Sequence, residues 1–149
     1  MNIKKVFIIG AVTGVEDTID AYDELGKVVV SVLGEVELIT PNTIFDYRND
    51  YIKTHKSASE EEINYNMVKF DLDCVRTADL VVGDLSIKST GVGIELGTIL
   101  NEGNKKLFFA KEDAVVSNMI LGAFSDVGVI RYKTFDDFKQ KLKEELKKL

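Results

Sequence analysis

A chain of 149 residues, 45% apolar and 30% charged, has side chains enough for one full core and too few residues for two ordinary domains, so a single domain over 1–149 is expected. The formal net charge of −6 disfavours a nucleic-acid partner, and the lysines towards the end of the sequence alternate with Asp136, Asp137, Glu144 and Glu145 instead of forming a basic stripe. Cys74 is the only cysteine, which excludes an internal disulfide and any multi-cysteine metal site; no run approaches the ~20 apolar residues of a membrane span, and a reducing, cytoplasmic setting is the expectation.

The first apolar run, Lys5 to Ile9, is too short for the core of a signal peptide and leads straight into Gly10, so it reads as a strand. Ile19, Tyr22, Val29, Val30 and Leu33 then recur at helical spacing, and Gly34 supplies the stop. Gly26 inside that helix costs about 1 kcal/mol relative to alanine. Val36 to Ile39 is the second strand. Pro41 to Ser57 is polar and aromatic without a clear period, which predicts a long loop of the lid or binding kind. His55, the only histidine, lies in it, and with no cysteine or second histidine beside it a structural or solvent role outranks catalysis.

Ser59 with Glu62 forms a capping-box signature that opens a helix from Glu60 to about Thr77. Ile63, Met67, Phe70 and Cys74 trace its apolar face, and Asp71 falls on the same stripe. A carboxylate there must be paired, hydrogen-bonded or protonated, because desolvation raises its pKa. It serves either as a cap for a nearby loop or as a functional acid. Leu80 to Val82 is the third strand, followed by Ser89-Thr90-Gly91-Val92-Gly93-Ile94-Glu95-Leu96-Gly97. Gly91 and Gly93 predict a tight turn that a ligand can approach closely. Glu95 would then stand in the first turn of a helix, where the helix dipole favours the anion by about 0.3–1 kcal/mol. As a plain alternative, Glu95 is only a good first-turn residue and Ser89 only a turn residue.

Leu107 to Ala110 and Val127 to Arg131 complete five strands, and Phe135, Phe138, Leu142, Leu146 and Leu149 form one stripe of a core-packing final helix. Strands alternating with helices predict a three-layer α/β domain built on a five-stranded parallel sheet. In such a domain Asp71 and Glu95 approach the crevice at the carboxyl ends of the strands, where ligands bind. Two carboxyl groups, one favoured as an anion and one protonated, are what glycosidic-bond cleavage needs.

The pattern Asp71-Leu72, Ala78-Asp79-Leu80-Val81-Val82, Ser89-x-Gly91-x-Gly93-x-Glu95-Leu96-Gly97 resembles the nucleoside 2-deoxyribosyltransferase family, and within it the 2'-deoxynucleoside 5'-phosphate N-hydrolase branch. The resemblance covers residues 71–106, with a further match at Ser117-Asn118-Met119-Ile120-x-Gly122. It implies a flavodoxin-like or Rossmann-like fold, Glu95 as the nucleophile on the anomeric carbon, and Asp71 as acid/base on the side of the base. It also implies a homodimer in which Ser117 and Met119 reach the pocket across the interface. Ser89 stands where the transferases carry an aspartate for a free 5'-hydroxyl; a hydroxyl suits a phosphate better, since a carboxylate repels it.

The first loop departs from the hydrolase pattern Tyr-x-x-Gly-Ser-Ile-Arg-Gly, reading Phe7-Ile8-Ile9-Gly10-Ala11-Val12-Thr13-Gly14. Phe7 lacks a hydroxyl to orient the nucleophile, and Ala11 and Thr13 remove a hydroxyl and a guanidinium, leaving phosphate contact to Thr13 and the amides from Gly10 to Gly14. The resemblance implies an N-glycosidase, a hydrolase of N-glycosyl bonds, acting on a (deoxy)nucleoside 5'-monophosphate with no metal or other cofactor. A base-exchanging transferase, a catalytically silent nucleotide sensor and a flavodoxin-like binding module are the alternatives. The expected partner is a small nucleotide or nucleoside, without nucleic acid or membrane.

Overall fold

The computed structural model describes residues 2–10 and 18–149. Five strands form one parallel sheet: β1 (Lys5–Ile9), β2 (Glu37–Ile39), β3 (Leu80–Asp84), β4 (Lys105–Lys111) and β5 (Ile130–Tyr132). Their spatial order is β2-β1-β3-β4-β5, so the chain reverses direction between β1 and β3. Reversal of this kind opens a crevice above the carboxyl ends of those two strands, because the connections on either side leave in opposite directions.

The sheet is buried on both faces, as parallel sheets are. Successive side chains of β1 point to opposite sides, which divides the core in two. Val6 and Ile8 join Leu80, Val82 and Phe109 beneath α1 (Thr18–Leu33) and α6 (Phe135–Leu146). Phe7 and Ile9 join Val81 and Phe108 beneath the helices between them in sequence: α2 (Pro41–Thr54), α3 (Glu60–Thr77), α4 (Thr90–Thr98) and α5 (Asn118–Ala123). This is the three-layer α/β arrangement expected from the alternation, and its strand order is the flavodoxin-like one that the resemblance implies. No helix among the described residues is long and apolar enough to cross a membrane.

Helix boundaries follow local chemistry. Gly34, at φ 80°, ends α1 and donates its N–H to the Val30 carbonyl at 2.9 Å. A Cβ on Gly26 would run into Leu38, so this glycine is explained by the close passage of α1 over β2. The Ser59–Glu62 box is formed in both directions, at 3.2 and 3.0 Å. Thr134 accepts from the Asp137 amide at 3.1 Å and opens α6.

Two expectations are corrected. The predicted loop from Pro41 to Ser57 is mostly helix: Thr40 and Thr43 form a capping box and Pro41 occupies the first turn, where its missing N–H costs nothing. α2 docks through rings instead of an aliphatic stripe. Tyr47 stacks on Phe70 of α3 with centroids 4.0 Å apart and planes 7° from parallel, and Asn66 donates to the Tyr51 hydroxyl at 3.1 Å. Likewise, β5 begins at Ile130 instead of Val127, because Gly128 at φ 75° breaks the extended run, and Val127 and Val129 pack on the core from the turn.

Candidate active site

Asp79, next to the apolar face of α3, is spent on structure: its carboxylate accepts from the amides of Lys4 and Lys5 at 2.8 and 2.9 Å. Asp71 has no such partner. Its Oδ1 is buried and takes no hydrogen bond from any standing donor among the described residues. What faces it is Glu95, reaching across from α4.

The helix carrying Glu95 begins earlier than the glycine pattern implies. Ser89 is the N-cap, its Oγ accepting from the Val92 amide at 3.4 Å, and Thr90 is the first helical residue. Gly91 and Gly93 are therefore inside α4, not in a turn before it, and Glu95 stands in the second turn. A Cβ at Gly93 would meet nothing, and one at Gly91 would meet only Ser89 Oγ at 3.7 Å. Their absence leaves the first turn of α4 bare.

The expected charge assignment is reversed. Burial and the neighbouring Asp71 carboxylate push Glu95 up to about 9, so it is Glu95 that holds a proton at neutral pH. The pull of a helix N-terminus on an anion, at most about 1 kcal/mol on an exposed first turn, does not offset burial and a like charge at a second-turn group. Burial also raises Asp71, while the hydrogen bond with Glu95 pulls it back down. One bond that favours the acid form of Glu95 and the anion of Asp71 has Glu95 as donor. The proton of Glu95 thus lies on the side facing Asp71.

A cavity of about 140 Å³ opens onto this pair. Phe7 and Gly10 of the β1 end form its floor, and Pro41, Ile44, Phe45 and Met67 form walls on α2 and α3. Gly10 is the one described residue of the expected phosphate loop; Ala11, Thr13 and Gly14 lie outside the described residues. A Cβ on Gly10 would collide with the ring of Tyr22, a buried residue of α1 that comes over the end of β1 from the opposite face of the sheet. The Tyr22 hydroxyl is held neutral by burial and by the negative charges of Asp84 and Glu95. Phe7 offers no hydroxyl to this cavity, and Tyr22 is a polar group near it that sequence reasoning missed. Its only sequence signal is a helical period, which marks it as core.

Ser89 and Gly93 face elsewhere. With Ser117 and Met119 they line a groove of about 500 Å³ between α4 and α5, on the flank of α4 away from the carboxyl pair. Gly91 is exposed and lines neither space. A third space, about 790 Å³, lies between α1 and α6 above β3 to β5. Asp84 is tied down there by Ser86 Oγ at 2.6 Å and the Tyr132 hydroxyl at 2.9 Å. No cluster of three or more His, Cys, Asp or Glu side chains suited to a metal ion occurs among the described residues.

Fold and carboxyl pair together define a flavodoxin-like α/β protein with a paired acid site at its strand-end crevice. Comparison of the sequence with protein-family models and with curated proteins finds no match. Among solved structures, the chain is similar to the CMP N-glycosidase BcmB of Clostridium botulinum, with a TM-score of 0.63, 19% identity, and coverage of 95% of this chain and 99% of that one. It is also similar to the 2-deoxyribosyltransferase of Bacillus psychrosaccharolyticus, with a TM-score of 0.60, 19% identity, and coverage of 93% and 95%. A flavodoxin-like domain from Synechococcus sp. matches with a TM-score of 0.51, 16% identity, and coverage of 96% and 94%. At these identities the likeness establishes the shared fold.

Proposed function

We propose that the chain is an N-glycosidase that hydrolyses the bond between base and sugar in a (deoxy)nucleoside 5'-monophosphate. The observation that carries the reading is the pairing of Asp71 with Glu95, the latter pushed up to about 9, at the end of a recess of about 140 Å³. That two proteins sharing the fold are, by name, an N-glycosidase and a deoxyribosyltransferase supports it, as does the motif resemblance of residues 71–106.

The proton of Glu95 accounts for both steps of the chemistry. Transfer of the Glu95 proton to Asp71 leaves Glu95 as the nucleophile. A Glu95 oxygen then bonds to the anomeric carbon while the carbon–nitrogen bond breaks, and the proton on Asp71 passes to the departing base nitrogen. Water attacks the resulting glycosyl ester, giving one proton to Asp71 and releasing Glu95. Two displacements at one carbon retain its configuration.

It is the motif resemblance, and not the cavity beside the pair, that assigns the 5'-phosphate to Ser89 and the first turn of α4, whose N–H groups and hydroxyl suit an anion. The same reading has two copies pairing through the groove between α4 and α5. Met119 is 82% exposed, and Ile87 at 44% and Leu100 at 43% line the same groove, an apolar exposure that a second copy would cover. Within one chain α4 stands between Ser117 and Met119 and the carboxyl pair, which supports their acting on the pair of the second copy.

The test is to incubate the protein with a panel of nucleoside monophosphates and nucleosides and to follow free base by chromatography, with and without a second free base. Base released to water supports hydrolysis. Exchange into the added base supports the transferase reading, and tight binding without any base released supports a sensor.

A further inference from the structure

Because α2 is a helix clamped to α3 and not a mobile loop, the walls of the 140 Å³ cavity are fixed parts of the fold. Tyr47 lies flat on Phe70, Tyr51 stacks on His55 at 4.0 Å and takes the Asn66 amide, and Pro41 is buried at the base of the helix. These contacts tie the α2 wall to α3. On that side the cavity is bounded by packed helices, and its size bears on what the site admits. Pockets that enclose a whole drug-sized ligand run to about 300–1,000 Å³. An apolar cavity of about 150 Å³ takes up benzene, one six-membered ring.

The lining agrees with the size. Ile44, Phe45 and Met67 are apolar walls for the faces of a flat ring, while Asp71 and Glu95 stand at one end as the polar edge. Phe45 is 43% exposed, at the mouth, where its ring limits how far a ligand can extend outward. It is the wall residue least supported by the core and so the one that sets the limit by its own bulk.

We propose that this cavity is a base pocket cut for a single six-membered ring, which makes the substrate a pyrimidine nucleotide or nucleoside, with Phe45 as the residue that excludes the second ring of a purine. The inference rests on the N-glycosidase reading for its chemistry and on the cavity for its selectivity. One methylene of fit in an apolar pocket is already worth about 10–200-fold in kcat/KM, so a second ring that does not fit should be visible on that scale.

Two measurements separate the inference from the reading beneath it. In the first, kcat/KM for base release is compared between pyrimidine and purine substrates carrying the same sugar and 5' group, in the wild type, in Phe45→Ala and in Met67→Ala, which widens the cavity from the other wall. A pyrimidine preference of about tenfold or more that narrows in both variants is the expected result. A purine preference, or a ratio that neither variant moves, overturns the inference while leaving the glycosidase reading intact. In the second, thermal stabilisation by free cytosine, uracil, adenine and guanine is compared. Stabilisation by pyrimidines, lost to purines in the wild type and regained in Phe45→Ala, supports the pocket even if no substrate is cleaved, and equal stabilisation by both classes overturns it. Absence of base release from every substrate sinks the glycosidase reading alone.

Discussion

Asp71 and Glu95 meet from different helices at one cavity over the end of β1, close enough for each to alter the other's proton affinity. Neither carboxyl has its ordinary proton affinity, first because both are buried and then because each is the other's neighbour. Burial disfavours charge on both, and a second negative charge in the recess is costlier than the first.

The pair makes stability depend on pH. Unfolded Glu95 titrates near its ordinary value of 4.5, and folded Glu95 up to about 9. Between those values the native state binds more protons than the unfolded state, so stability falls as pH rises. The contribution is fully present below pH ~4.5 and lost as pH passes through about 9. Thermal melts from pH 5 to pH 9 are expected to show a declining Tm in the wild type and a flatter profile in Glu95→Gln, with roughly 2–4 °C for each kcal/mol. Parallel profiles in the two proteins would remove the pair as the cause.

Replacing either member separates their roles. Glu95→Gln is expected to abolish base release with the fold retained. Asp71→Asn removes both the acceptor of the Glu95 proton and the acid that protonates the base, so slow leaving groups should lose more rate than activated ones, and in the wild type the rate should fall as pH rises through about 9 and the pair loses its proton. Steady-state rates against pH with one good and one poor leaving group check both statements; equal losses on the two substrates would count against Asp71 as the acid.

Ser89→Asp offers a test of phosphate recognition that spares the helix, since aspartate caps an N-terminus about as well as serine. The expected outcome is a rise of about tenfold or more in KM for a monophosphate, with little change for the matching nucleoside and an unaltered Tm. A similar change for both substrates would place the phosphate elsewhere.

Gly10 and Tyr22 are coupled by volume. Gly10→Ala should cost about 1–3 kcal/mol, because the new methyl group and the buried ring claim the same space. In a Tyr22→Ala background the same substitution should cost much less. A double-mutant cycle by denaturant unfolding measures the difference, and strict additivity would show that the loop relieves the overlap by moving away.

The paired copies are tested by Met119→Asp. Sedimentation of the wild type is expected to give twice the mass of the chain and that of the variant a single chain, with base release falling in step. A wild-type monomer would return Ser117 and Met119 to a role within their own chain.

Much of this molecule is legible in its sequence. β1, the Ser59–Glu62 box, the bounds of α3 and the stripe of α6 follow from period and caps, which are local properties. α2 was not legible, because it buries almost nothing aliphatic: Pro41 is its one fully buried residue, and the ring of Tyr47 and the hydroxyl of Tyr51 find their partners on another helix. Asp71 and Glu95 were legible as residues and not as a pair. Which of them keeps the proton depends on their approach across two helices, and the dipole argument that assigned the anion to Glu95 used only its own segment. Tyr22 and Gly26 are of the same kind, each explained by a neighbour distant in sequence.

The ring contact between Tyr47 and Phe70 also gives the pocket wall an optical signature. The chain contains no tryptophan, so its near-ultraviolet circular dichroism comes from tyrosine and phenylalanine alone, and closely stacked rings such as this couplet contribute strongly to it. Docking of α2 can thus be watched in the ligand-free protein, by light, before any question of catalysis is asked.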